Sequence, residues 1–346
     1  MKLIAALCLA ACSAPAVQSD LATAEAEQRA GHDDAALSAY VTAQTTCKKM
    51  RDQRLRRDTC AQAHIGRAEL LEDLDRRAEA AAAYEAVPRA LTGVPGDDVA
   101  EAKATYRAGR LRLALGEEER GYDLLWRTIT EYPDVAYAND ALRTLLADGR
   151  ARNPRQLYDV LAGLVESLAD NEIADALLYA MADLAEHELG SPAVALQHLD
   201  RIAKDYPEGG LRDEAWWHGA RIARALGDPR GAAARLRQLE ATREVAFGIG
   251  SYFSIWLDDG QLELGRILRD DLHDLPDAAA AFAALPRLYP ASILRDDALW
   301  ELAVTQDQAG RRDRACAALT RLKKDWPESK FELEQAPALR TRLECP

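Results

Sequence analysis

The chain has 346 residues, of which 48% are hydrophobic and 29% charged, so it can bury the core of one elongated domain or of two compact ones and does not read as disordered. Aromatic residues make up only 6% while alanine and arginine are plentiful, a mix rich in helix formers and poor in strand formers. The formal charge of −13 speaks against a nucleic-acid partner, which needs a basic patch to displace counterions.

The chain opens MKLIAALCLAACSAP. Lys2 supplies a positive start, and Leu3 to Ala10 form an apolar run of signal-peptide length. The stretch Leu9-Ala10-Ala11-Cys12 resembles the lipobox of bacterial lipoproteins. That resemblance implies a signal peptide over residues 1–11, lipid attachment at Cys12 and a short tether over 12–17. Acyl chains contribute about 0.8 kcal/mol per buried methylene, so several of them anchor a protein stably. Ser13 stands where an inner-membrane retention signal would place aspartate, which favours the outer membrane. The competing reading is a buried first helix turn. A redox pair is disfavoured, because Cys8 and Cys12 lack the two-residue spacing of that motif. No later stretch approaches the roughly 18 apolar residues of a membrane-spanning helix.

Beyond residue 17 the chain is periodic. Aromatic-proline dipeptides recur at Tyr132-Pro133, Tyr206-Pro207, Tyr289-Pro290 and Trp326-Pro327, at intervals of 74, 83 and 37 residues. LRDEAWWHGA at 211–220 is echoed by LRDDALWELA at 294–303, again 83 apart. Each unit reads as two helices: the first ends at a glycine, such as Gly116, Gly190, Gly227 or Gly310, and the second stops at proline. Second helices carry small and large apolar residues at steps of four and three, which lie on one helix face. Ala315, Leu319 and Leu322 show the pattern, as do Ala278, Phe282 and Leu285, and Ala195, Leu199 and Ile202. It recurs nearer the N-terminus at Ala36, Tyr40 and Ala43 and at Ala80, Tyr84 and Val87.

This spacing resembles the second helix of the tetratricopeptide repeat (TPR). The resemblance implies an all-α fold over residues 18–328, a right-handed superhelix (α-solenoid) of about eight helical hairpins. A longer connection falls at about 240–258, and a capping helix covers 329–346. The longer, Tyr-Pro-punctuated unit looks like the TPR outer-membrane lipoproteins of barrel assembly (BamD-like) and the periplasmic Tol–Pal coordinator group.

Four further cysteines remain, and an even number in an exported chain suggests disulfides. In the repeat frame Cys47 and Cys60 straddle one helical turn, and Cys316 and Cys345 straddle another, so the expected bonds are Cys47–Cys60 and Cys316–Cys345. Buried free thiols are the alternative.

Signals of chemistry are sparse. The six histidines show no metal-ligand spacing, and neither a P-loop nor a nucleophile elbow occurs. FGIGSYF at 247–253 lacks the third glycine of a dinucleotide fingerprint. The reading is a non-enzymatic protein with no cofactor and no metal. The 240–258 region concentrates Phe247, Tyr252, Phe253 and Trp256, which either fill the core of a lengthened unit or anchor a partner. Trp217 on a first helix joins them as a candidate contact.

The expected function is a protein–protein interaction scaffold facing the periplasm from the bacterial outer membrane. Its partners would be proteins of the cell envelope, and the lipid anchor its sole membrane contact. Alternatives are a peptide or small-ligand binding module in the superhelical groove, or an accessory to a peptidoglycan enzyme. One measurement tests the cysteine pairing: the mature protein, denatured without reductant, should show no reactive thiol, and four reactive thiols would reject it.

Overall fold

The computed structural model describes residues 13–94, 96, 98–242 and 254–346, and every regular element among them is helical. The chain divides into two compact units, residues 1–177 and 178–346.

In the first unit, α1 (Ser13–Arg29) pairs with α2 (Asp33–Cys47), and α3 (Gln53–Asp73) with α4 (Arg77–Glu85). A short α5 (Val87–Leu91) follows, then the hairpins α6 (Val99–Ala114) with α7 (Glu118–Glu131) and α8 (Ala136–Arg152) with α9 (Pro154–Ser167). The dividing point falls within α10 (Ala174–Asp183). The second unit continues through α11 (Pro192–Asp205) to the hairpins α12 (Arg212–Ala225) with α13 (Pro229–Ala241) and α14 (Leu257–Arg266) with α15 (Leu275–Leu288). It ends with α16 (Arg295–Gln308), α17 (Arg312–Asp325) and two short helices, α18 (Lys330–Glu334) and α19 (Ala336–Leu343). These are eight helical hairpins among the described residues.

The second-helix pattern is the core. Ala36, Ala80, Tyr84, Ala278, Phe282, Leu285, Ala315, Leu319 and Leu322 are completely inaccessible, and Tyr40 nearly so. Full burial of one such large side chain is worth about 1.5–3 kcal/mol. Four of the second helices, α7, α11, α15 and α17, stop where an aromatic residue meets proline. Tyr132, Tyr206, Tyr289 and Trp326 all leave helical geometry, with φ between −124° and −138°. Steric conflict with the following proline ring pushes them out of the helical region, to ψ between 52° and 70°.

Hairpin turns share one backbone device. Gly227 has φ +81°, and the N–H of Asp228 donates to the carbonyl of Ala223 to close the last turn of α12. Gly31, Gly116, Gly190 and Gly310 occupy the same slot with positive φ, and two hairpins fill it with Asp75 and His273 instead. The turn between α8 and α9 has no such residue. There Asn153 caps the second helix by accepting from the N–H of Gln156, and Pro154 opens it. This substitution of one device for another is why the repeat is hard to see around residues 135–170.

A second irregularity is the π-turn. α10 and α14 run on into π-turns, Leu184–Glu188 and Ile267–Asp271, before their hairpin turns. In both, the closing bond reaches one residue further back, from Ser191 to Ala185 and from Asp274 to Leu268. One extra residue is thus absorbed without changing the face presented to the neighbour.

Three expectations need adjustment. Residues 13–17, expected as a tether, begin α1, where Pro15 falls in the first turn, a position at which the missing N–H would have had no helical acceptor. Val87 lies not in α4 but in α5, since Pro88 interrupts the run. The terminal cap is two helices rather than one, broken at Gln335 ahead of Pro337. Its buried Phe331, Ala336 and Leu339 close the cluster formed by Leu299, Ala303, Leu319 and Leu322.

The cysteines sit at two places in this frame. Cys47 ends α2 and is joined to Cys60 in α3, and Cys316 in α17 is joined to Cys345 beyond α19, with 5.4 Å between Cα atoms in each pair. The positive-φ slot makes a direct test. An added Cβ at Gly227 meets no atom within 4 Å, so Gly227→Ala carries a purely backbone penalty. Gly227→Ala should lose about 1 kcal/mol, and His273→Gly should gain a similar amount, because the left-handed region disfavours any β-carbon. Thermal denaturation of the two variants checks the opposite signs.

Candidate functional site

In the second unit, α12 packs Ala215, Gly219, Ala220, Ile222 and Ala223 inward. Adjacent residues diverge by about 100° on a helix, so Trp216, Trp217 and His218 cannot all follow and are left half-buried. The ring of Trp217 stacks on Trp256, at the start of α14, with centroids 5.6 Å apart and planes inclined by 15°. His218 meets Trp256 edge-on at 5.4 Å, and Tyr179 of α10 meets His218 edge-on at 6.1 Å. Four rings therefore connect the first helices of three successive hairpins.

A carboxylate is set into this row. Tyr179 donates its hydroxyl to Oε1 of Glu214 at 3.0 Å, and Nε2 of His218 lies 3.7 Å from the same oxygen. The nearby His218 ring, and secondarily the hydrogen bond from Tyr179, hold the Glu214 carboxyl below the usual range against the opposing effect of burial. Glu214 is therefore a carboxylate at neutral pH. The same contact and burial push the Tyr179 hydroxyl far above its ordinary value.

Beside the rings lies a cleft of about 470 Å³, lined by Glu208, Gly209, Gly210, Arg212, Asp213, Glu214, Thr242, Ser254, Ile255 and Trp256. Ile255 is 74% exposed at its rim, unusual for a large aliphatic side chain. Arg212 is committed locally: its Nε donates to Asp213 Oδ1 at 2.9 Å and its guanidinium to the carbonyl of Pro207 at 2.7 Å.

Of the sequence candidates, the structure brings Trp217 and Trp256 together. Phe247, Tyr252, Phe253 and the lipidation candidate Cys12 lie outside the described residues. Tyr179, Glu214 and His218 were missed as a group, although Tyr179 and Glu214 are 35 residues apart, close to one repeat. A second tryptophan on a first helix, Trp300, stacks on Phe331 at 5.7 Å and belongs to the packing of the terminal cap.

The first unit has a larger cleft, about 670 Å³, containing Arg57, Arg89, Arg127, Glu101 and Tyr132. Its most deeply buried cation is already engaged, since Arg57 donates to both Glu101 oxygens at 2.8 Å and to the carbonyl of Val94 at 2.7 Å. Among the described residues no cluster of three or more metal-ligating side chains occurs.

Fold and site together define a helical-hairpin repeat protein with an aromatic row across consecutive first helices. Residues 297–329, most of α16 and all of α17, match the tetratricopeptide-repeat family profile. No curated protein matches the chain. Solved structures with a similar fold include PilF of Pseudomonas aeruginosa, at 12% identity and a TM-score of 0.34, covering 82% of this chain and 99% of that one. PilW, a type IV pilus biogenesis factor, aligns at 13% identity with a TM-score of 0.36, over 79% of this chain and 96% of that one. The C-terminal part of a TPR protein from Cytophaga hutchinsonii aligns at 11% identity with a TM-score of 0.38, over 90% and 97%.

Tyr179→Phe tests the electrostatics of the row. Removing a donor to the charged form should raise the Glu214 pKa, read by carboxyl 13C shifts across an acid titration. Because the folded pKa is depressed, the stability difference between parent and variant should be present above about pH 5 and fade as pH falls through the folded value.

Proposed function

We propose that this protein is a non-enzymatic protein–protein interaction scaffold, lipid-anchored through Cys12 to the bacterial outer membrane and facing the periplasm. The observation that carries the interaction role is the row Tyr179, His218, Trp256 and Trp217, carried by α10, α12 and the residue that caps α14, and bordering an open cleft. Aromatic side chains on rigid elements combine large contact area with little entropy to lose, which suits them to anchor a partner. Hairpin arrays of this type commonly offer such extended faces for protein binding.

Two features support the envelope location. The Leu9-Ala10-Ala11-Cys12 stretch is similar to a lipobox, and the Cys47–Cys60 and Cys316–Cys345 pairs suit an oxidising compartment. In this reading the membrane is reached through the acyl chains on Cys12; no described helix is long and apolar enough to cross a membrane.

Expression in a Gram-negative host tests both halves. Mass spectrometry of the mature N-terminus should find acylated Cys12, and Cys12→Ser should release the protein from the outer-membrane fraction. Affinity purification from solubilised envelopes should recover a stoichiometric protein partner, and Trp256→Ala should lose it while keeping its thermal transition. Unacylated, soluble parent protein rejects the location, and partner recovery indifferent to Trp256→Ala rejects the interface.

A further inference from the structure

The cleft beside Trp256 has a definite chemical character. Three carboxylates line it, those of Glu208, Asp213 and Glu214, against one cation, Arg212. Arg212 and Asp213 neutralise one another through their 2.9 Å contact, so Glu208 and Glu214 leave an excess of negative charge. The groups that hold Glu214 do not cancel it: Tyr179 is a neutral donor, and His218 stands 3.7 Å away. At one side of the same cleft are the indole of Trp256 and the exposed Ile255. An aromatic wall next to carboxylates attracts cationic side chains both through the ring face and by Coulomb attraction. The exposed isoleucine gives a neighbouring apolar residue somewhere to pack.

Resting on the scaffold reading above, we propose that this cleft docks a basic, amphipathic segment of the protein partner. In it a lysine or arginine would lie against Trp256 and pair with Glu214 and Glu208, and an adjacent aliphatic residue would pack on Ile255. The volume of about 470 Å³ falls within the usual range of roughly 300–1,000 Å³ for binding clefts. The charge of the whole chain points the same way, since −13 steers positively charged segments toward it and repels acidic ones.

The test uses the full mature chain and three labelled twelve-residue peptides, Arg-Leu-Ala repeats and the same sequence with glutamine or glutamate for arginine, followed by fluorescence anisotropy in 150 mM salt. The arginine peptide should bind at least tenfold tighter than the glutamine peptide, the glutamate peptide should not bind, and raising salt should weaken the complex. Glu214→Gln and Ile255→Ser should each weaken binding about five- to tenfold, while Glu334→Gln, an exposed carboxylate elsewhere, should leave it unchanged. If Glu214→Gln lowers the melting temperature, Glu208→Gln takes its place. Equal affinity for the arginine and glutamine peptides overturns the proposal, as does indifference to both cleft variants. Binding seen only after residues 243–253 are replaced by a Gly-Ser linker also overturns it, because the intact chain would then cover its own cleft. Should peptides fail while envelope purification still recovers a Trp256-dependent partner, the scaffold reading stands and this chemistry falls.

Discussion

No hairpin in this chain can bury both of its faces, so each depends on how closely neighbouring backbones approach. The decisive contact is a ring or branched side chain laid against a bare stretch of helix. A Cβ added at Gly265 would sit 2.5 Å from Cε1 of Phe282, and one at Gly66 would sit 2.6 Å from Cε1 of Tyr40. Gly109 is similarly closed by Leu125, at 3.1 Å. The first and third contacts lie within hairpins and the second joins one hairpin to the next. Small residues facing large ones therefore set both the hairpin geometry and the stacking. Their loss would leave either a clash or a separation that forfeits dispersion along the whole interface.

Packing of this kind is directional only weakly, and the polar contacts supply register. Ion pairs repeatedly connect residues about one repeat apart: Lys103 with Glu69, Arg107 with Glu72, Arg152 with Glu118, Arg235 with Asp200 and Arg266 with Glu301. Pairs at the surface contribute at most about 1 kcal/mol each, so their number is a poor measure of stability. Their common spacing matters more, because a hairpin slipped by one turn would break several at once. The buried pair Arg57–Glu101 is stricter still, since a charge stranded without its partner costs several kcal/mol.

This division explains what could be read from sequence. Alanine and large apolar residues occur at fixed offsets because the close approach recurs, so the hairpins and the buried faces of α2, α4, α11, α15 and α17 were legible. The turn between α8 and α9 was not, because Asn153 and Pro154 achieve there what glycine achieves elsewhere. Nor were the π-turns, since one inserted residue shifts the period without any distinctive residue type. The terminal helices kept their buried positions, but Pro337 split what the apolar pattern ran together. In the candidate site, composition drew attention to Trp256 and Trp217. Glu214 and Tyr179 carry no local motif, and they meet only because residues one repeat apart face each other across adjacent first helices.

The repeat also shows how an open aromatic surface can arise from a packing device. Trp217 and Trp300 occupy equivalent positions 83 residues apart, and each stacks on an aromatic at the start of the following element, Trp256 and Phe331. At the C-terminal pair, Phe331 is buried by the cap, and the stack serves to close the core. At the other pair no cap intervenes among the described residues: Trp256 borders a cleft, Ile255 stands in solvent, and carboxylates replace the apolar cover. The same ring-on-ring contact is thus sealed in one hairpin and open in another. What separates the sealed stack from the open one is not the tryptophan but the neighbours that cover it.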